Sequence, residues 1–158
     1  MFKSPSTLSE MARTKVAEAL NARLADGLDL FSQIKVAHWN VKGPQFAALH
    51  PLFETFAVGL AMQTDLIAER AVTLGAKAYG TARYVAKVST LPEYPQETTK
   101  DLEHVKLLAE RFDKFLEGVK GSRKVAEENG DTDSVDLLTG LVTEFEKHTW
   151  MLRASLET

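Results

Sequence analysis

The sequence predicts an all-α domain, a four-helix bundle, on three observations. Apolar residues recur every three or four positions over four long stretches. Gly-Pro and Asn-Gly pairs punctuate the chain between those stretches, and the three connections are short, long and short. Nothing alternates with period two for long enough to make a sheet. The chain has 158 residues, a one-domain length able to bury a sizeable core.

Each element follows in turn. Thr7-Leu8-Ser9-Glu10 reads as a capping box, with Thr7 as N-cap and residues 1–7 as a short tail. Behind it Val16, Leu20, Leu24, Leu28, Phe31 and Val36 carry a helix toward residue 38, and Gly43-Pro44 breaks it. A second helix runs from about Phe46 to Leu74 through Leu49, Phe53, Phe56, Leu60 and Ile67; Gly75 and Gly80 close it. Residues 80–98 form the long connection, in which "ARYVAK" suits a short extra helix. Thr98 or Thr99 would cap a third helix through Val105, Leu108, Phe112, Phe115 and Val119, ending at Asn129-Gly130. A last helix starts near Asp133 and carries Leu137, Leu141, Phe145, Thr149 and Leu152. There is no internal repeat, low-complexity segment or second domain.

Composition narrows the function. The formal charge of −3 offers no electrostatic case for nucleic acid. Absence of cysteine excludes disulfides, thiolate metal sites and cysteine nucleophiles, and fits a reducing cytoplasm. The N-terminus has no secretory apolar region and no stretch approaches a membrane span, so a cytoplasmic protein is expected.

The chemistry concentrates on the second helix. At 100° per residue, His50, Glu54, Asp65 and Glu69 fall within about a 100° stripe. They form two i,i+4 pairs, yet His50 and Asp65 are separated by roughly 22 Å of helix axis. One ion cannot touch both pairs of one helix. The midpoint of 50 and 69 coincides with that of 54 and 65, between residues 59 and 60. Two antiparallel copies crossing there on a two-fold axis would bring each pair onto the other's partner, twice over. Val58 and Ala61 between the pairs are small enough for a close crossing. His38, at the end of the first helix, would add a second imidazole. Two imidazoles and three carboxylates suit Fe²⁺, Mn²⁺ or Zn²⁺. A site inside one bundle needs Glu-x-x-His twice; the residues three before the four histidines are Lys35, Ala47, Asp101 and Phe145, none of them Glu. No His-Glu-x-x-His motif or phosphate-binding glycine loop is present.

Residues 35–50, "KVAHWNVKGPQFAALH", with "DLIAERAVTLG" at 65–75 and "EKHTWMLRASLE" near the end, resemble the Dps family, the miniferritins. The resemblance covers nearly the whole chain. It implies a ferritin-like four-helix bundle assembled as a hollow dodecamer that oxidises Fe²⁺, preferably with hydrogen peroxide, and stores ferric mineral. It also implies a di-iron site between two subunits: His38, His50 and Glu54 from one, Asp65 and Glu69 from the other. In that family Trp39 would lie beside the iron and take up stray oxidising equivalents. Asp131 and Asp136 match acidic pores where iron enters, while their plain reading, with Asp133, is helix capping and first-turn charge. Position 54, commonly Asp in the family, is Glu here, one methylene longer. Pro51 removes one N–H from the second helix; it is harmless if that helix begins only near Leu49, and an earlier start would tilt His50. His104 and His148 read as structural or solvated, and Trp150 as core. Two alternatives stand beside the ferroxidase. The first is a DNA-compacting protein, disfavoured because Lys3 alone is basic before the first helix and no lysine-rich tail follows the last. The second is a redox-silent Zn²⁺- or Mn²⁺-binding oligomer.

Overall fold

Leu20, Leu30 and Ile34 from the first long helix meet Phe53, Phe56, Leu60 and Ile67 from the second, all at most 1% exposed. Phe112 and Phe115 from the third and Phe145 from the last complete the core, their rings meeting edge to face at 5.0–5.1 Å. The computed structural model describes residues 1–157; Thr158, where the domain is expected to end, lies outside them. Its helices are α1 Glu10–Asn40, α2 Phe46–Thr73, α3 Ala82–Val88, α4 Asp101–Glu128 and α5 Thr132–Ala154. α1 packs on α2 and α4 on α5, with the short α3 against α1. This is the expected four-helix bundle with one extra helix in the long connection. No helix among the described residues is long and apolar enough to cross a membrane.

Two caps differ from expectation. α1 is capped by Ser9, whose hydroxyl accepts from the Ala12 amide at 3.2 Å, not by Thr7. Glu10 is then the first helical residue, too early to reach back as a capping-box glutamate, and serves as a first-turn charge. α4 starts after Lys100, with no side-chain cap, rather than after Thr98 or Thr99. A tertiary contact sets its start. The Lys42 amide donates to Thr99 O (2.8 Å) and the Asp101 amide to Lys42 O (3.0 Å). The Asp101 carboxylate accepts from the amides of Gln45 and Leu102. Gly43 makes the turn possible: its φ is +140°, and a Cβ there would strike the Asp101 carboxylate.

The long connection is held by buried polar groups. Asp26, fully buried on α1, accepts from the Thr90 amide and hydroxyl at 2.8 and 2.9 Å and pairs with Arg23 at 2.8 Å. Gln33 donates to Pro92 O, while Arg111 donates to Gln33 and to Glu93 O. Tyr94 then inserts beside His104, its hydroxyl 2.7 Å from Nδ1. The N-terminal residues are also tied down: the Phe2 amide donates to Gly75 O and Ser4 Oγ to Thr73 O, both at 2.6 Å.

Two predictions follow from this interior. The Arg23 guanidinium lies against Gly118, where any Cβ would collide with it. Gly118→Ala should therefore push the Arg23 guanidinium off Asp26, which keeps its two Thr90 bonds, and cost about 1 kcal/mol, read from the urea midpoint. An unchanged midpoint would mean that Arg23 moves aside and keeps Asp26. The second concerns acid. Burial holds the imidazoles of His104 and His148 below their ordinary value of 6.5, against the opposing pull of Glu103 and Glu144. Below about pH 6.5 the unfolded chain takes up protons that the folded chain refuses, so stability falls as pH drops toward the lowered values. The urea midpoint should fall between about pH 7.5 and 5.5, and less so in a His104→Gln/His148→Phe double variant. An identical pH slope in that variant would assign the acid sensitivity to other groups.

Candidate metal centre

α1 and α2 meet end to start, and a histidine sits on each side of the junction. His38 lies in the last turn of α1, where backbone carbonyls run out of helical partners. The carbonyl of His38 finds one in His50 Nδ1 at 2.8 Å, and His38 Nδ1 lies 2.8 Å from the carbonyl of His50. The rings stack at 3.8 Å with 23° between their planes. A carbonyl only accepts, so both Nδ1 atoms carry hydrogen and donate. In the neutral rings both Nε2 atoms are then bare lone pairs, the form a metal requires.

Pro51 lies inside α2, not ahead of it, because the helix begins at Phe46. The bond it removes would have joined its own nitrogen to the carbonyl of Ala47, an exposed residue where water can substitute. His50 stays fixed by its exchange with His38.

Glu54 follows His50 by one turn. Its Oε2 lies 3.5 Å from His38 Nε2 and accepts a hydrogen bond from Lys35 Nζ. That bond holds the Glu54 carboxyl below the ordinary carboxylate range. Lys35 precedes His38 by three residues, and its ammonium is also 5.7 Å from the ring centre of Trp39. In the sequence Lys35 is notable only as a position that is not Glu; its i,i+3 spacing to His38 is the signal that places it here.

Thus one chain stacks His38 on His50 and sets Glu54 beside His38. It does not bring Asp65 and Glu69 to them, and among the described residues no three His, Asp or Glu side chains converge as a metal cage. Asp65 and Glu69 are exposed farther along α2. Asp65 borders a groove of about 410 Å³ lined by Leu24, Leu28, Phe31, Ala61 and Ala68. Val58, Met62 and Leu66 are exposed on α2 as well, at 52%, 67% and 47%. The donor types fit a divalent first-row metal: two imidazole nitrogens and a carboxylate on one side, two open carboxylates elsewhere on α2.

The remaining candidates divide. Trp39 is 66% exposed beside His38. Trp150, expected in the core, is 65% exposed, because Phe145, Thr149 and Leu152 occupy the buried face of α5. Asp131 caps α5 and is 2% exposed: Arg70 donates to it at 2.6 Å and Ser134 by both amide and hydroxyl. Its carboxylate is thus committed, whereas Asp136 is exposed. Arg70, next to Glu69, links the end of α2 to the start of α5 through Asp131 and Ser134.

Comparison with known proteins gives one answer. The family model described as a ferritin-like domain matches residues 17–158. The DNA protection during starvation protein of Agrobacterium fabrum is 35% identical over 155 residues, covering 98% of this chain and 96% of that protein. Dps of Mycobacterium smegmatis superposes with a TM-score of 0.94 at 31% identity, over 99% of this chain and 95% of that one. The Dps protein of Vibrio cholerae, described as a member of a broad superfamily of ferritin-like diiron-carboxylate proteins, superposes at 0.93 with 27% identity, over 99% and 98%. The chain belongs to the ferritin-like domain family and, within it, to the Dps miniferritins.

Proposed function

We propose that the protein is an iron-storing and iron-detoxifying ferroxidase of the cytoplasm, working as a shell built from two-fold dimers, with twelve chains as in the Dps family. The observation that carries this reading is the oriented pair of imidazoles beside Glu54, with both Nε2 atoms free. The superfamily description of the Vibrio cholerae relative, a diiron-carboxylate protein, supports iron as the substrate. Zn²⁺ and Mn²⁺ are accepted by the same donor types and serve as substitutes.

In this reading a two-fold axis crosses α2 between residues 59 and 60. The exposed apolar side chains Val58, Met62 and Leu66 supply the contact, and Asp65 and Glu69 of one chain face His38, His50 and Glu54 of the other. Two Fe²⁺ ions held there give one electron each to a single hydrogen peroxide. Its O–O bond breaks and two protons complete two waters, so no hydroxyl radical is released. The chain's own residues bind and orient the ions; Trp39 stands beside the centre to take up a stray oxidising equivalent. At the start of α5, Asp136 supplies charge that draws Fe²⁺ toward an entrance, and Asp131, also counted with that entrance in the family pattern, fixes the helix that carries it.

Complementation tests where the centre lies. Neither His50→Ala/Glu54→Ala nor Asp65→Ala/Glu69→Ala should oxidise Fe²⁺ rapidly as a homomeric assembly. Co-expressed, the two chains form mixed dimers about half the time, each with one site carrying all four substitutions and one carrying none. Roughly a quarter of wild-type sites should return. Well-mixed assemblies that stay inactive would rule out a shared centre, since a site within one chain carries a lesion in every chain.

Protection in this reading comes from consuming iron and oxidant, not from coating DNA. With a formal charge of −3 per chain, and with Phe2 and Ser4 bound to the end of α2, plasmid mobility should be unchanged at neutral pH and physiological salt. A salt-sensitive shift under those conditions would favour the DNA-compacting alternative.

A further inference from the structure

We propose that Lys35 is a built-in cation that holds the second metal position while the centre is metal-free, and that it swings to the face of Trp39 when a second ion enters. The inference rests on the metal-centre reading above and concerns the order in which that centre fills.

Lys35, His38 and Trp39 share one side of the last turns of α1, at i, i+3 and i+4. The Lys35 side chain is only 18% exposed. Its ammonium bonds the same oxygen, Glu54 Oε2, that lies 3.5 Å from His38 Nε2. A metal joining Glu54 to His38 must approach that oxygen to roughly 2.0–2.2 Å. Lys35 already donates to it, so a dication and an ammonium would compete for one negative charge at short range. His50 Nε2 has no such competitor. The first ion therefore binds through imidazole and the partner subunit's carboxylates, and the second must displace Lys35.

The displaced ammonium has somewhere to go. The Trp39 ring centre is already 5.7 Å from Nζ, inside the roughly 6 Å range of a cation–π contact. Moving fully onto that ring needs only rotation about side-chain bonds and leaves α1 in place. The partly exposed ring can receive the charge without burying it.

Zn²⁺ binds the same donors without redox chemistry, so equilibrium titration of the assembled protein separates the two steps. Wild type should show one tight and one weaker Zn²⁺ per centre. Lys35→Met and Lys35→Gln should each tighten the second step at least about tenfold, while Lys35→Arg, which keeps the charge, should retain the two-step pattern. In a Trp150→Phe background, Trp39 emission should change at the second step in the Lys35 protein and not in Lys35→Met. An unchanged second step in both neutral variants overturns the inference. So does equal tightening in Lys35→Arg, which would make packing rather than charge the cause. Binding of no Zn²⁺ by wild type and variants alike would instead sink the metal-centre reading, and the role of Lys35 with it.

Discussion

An α-helix that ends inside a protein must find donors for its last carbonyls, and α1 finds one in the ring of His50. The return bond, from His38 to the His50 carbonyl, closes a small cycle between two helices that share no continuous backbone ladder. That cycle fixes the angle between α1 and α2, selects the tautomer of both rings, and leaves both Nε2 atoms bare. Its geometry depends in turn on the turn at Gly43 and on the Asp101 carboxylate, which grips the Gln45 amide just ahead of α2. A helix junction and the proposed metal-binding face are therefore one construction. A lesion at Gly43 or Asp101 is felt at the histidines.

A second constraint is rigidity. His50 and Asp65 ride on one helix, roughly 22 Å apart along its axis, and no side-chain rotation closes that distance. Ligand types that belong together by chemistry are thus held apart within a chain. The apolar surface left open on α2, around Val58, Met62 and Leu66, lies between and beside them. Such a strip is costly to leave in water and ready to be covered by another surface of like character. In the proposed two-fold dimer, the spacing of the ligands and the exposure of the strip are met by the same symmetric partner.

The helices were legible because burial on one face writes a 3.6-residue period into the sequence; the ranges of α2 and α3 follow closely from Phe46, Leu74 and "ARYVAK". Caps were less legible. Thr98 and Thr99 are good N-caps locally, but the backbone bridge between Lys42 and Lys100 outweighs a single hydroxyl bond. The polar clamp on the long connection was invisible for a different reason. Arg23 and Asp26 look like an ordinary i,i+3 surface pair, and only the path of residues 89–94 over them makes them interior. Trp150 misled by its size: its neighbours Thr149 and Leu152 hold the buried face. Of the expected centre, the nearness of His38 to His50 and of Glu54 to His38 was legible from spacing together with the family pattern. Lys35 was not, because its role is a distance to Glu54 nineteen residues away on another helix.

Four histidines serve this chain in two opposite ways, and the carboxylates decide which. His104 is sealed beside Tyr94, half-buried His148 packs against Phe56, Phe112 and Phe145, and each keeps a ring nitrogen without a partner. A bare imidazole nitrogen in an iron-handling protein is a latent ligand, yet neither has an acid free to complete a site. Asp101, three residues before His104, is committed to the amides of Gln45 and Leu102. Glu144, one turn before His148, accepts from Gln63 at 2.8 Å. Burial lowers the proton affinity of both rings, which pack as flat, weakly polar groups. At His38 and His50 the situation reverses: the Nδ1 atoms are spent on backbone, and an acid one turn away is held by a lysine side chain that can rotate rather than by fixed amides. In the proposed centre, metal affinity would follow less from where imidazoles stand than from which carboxylates can be released to join them.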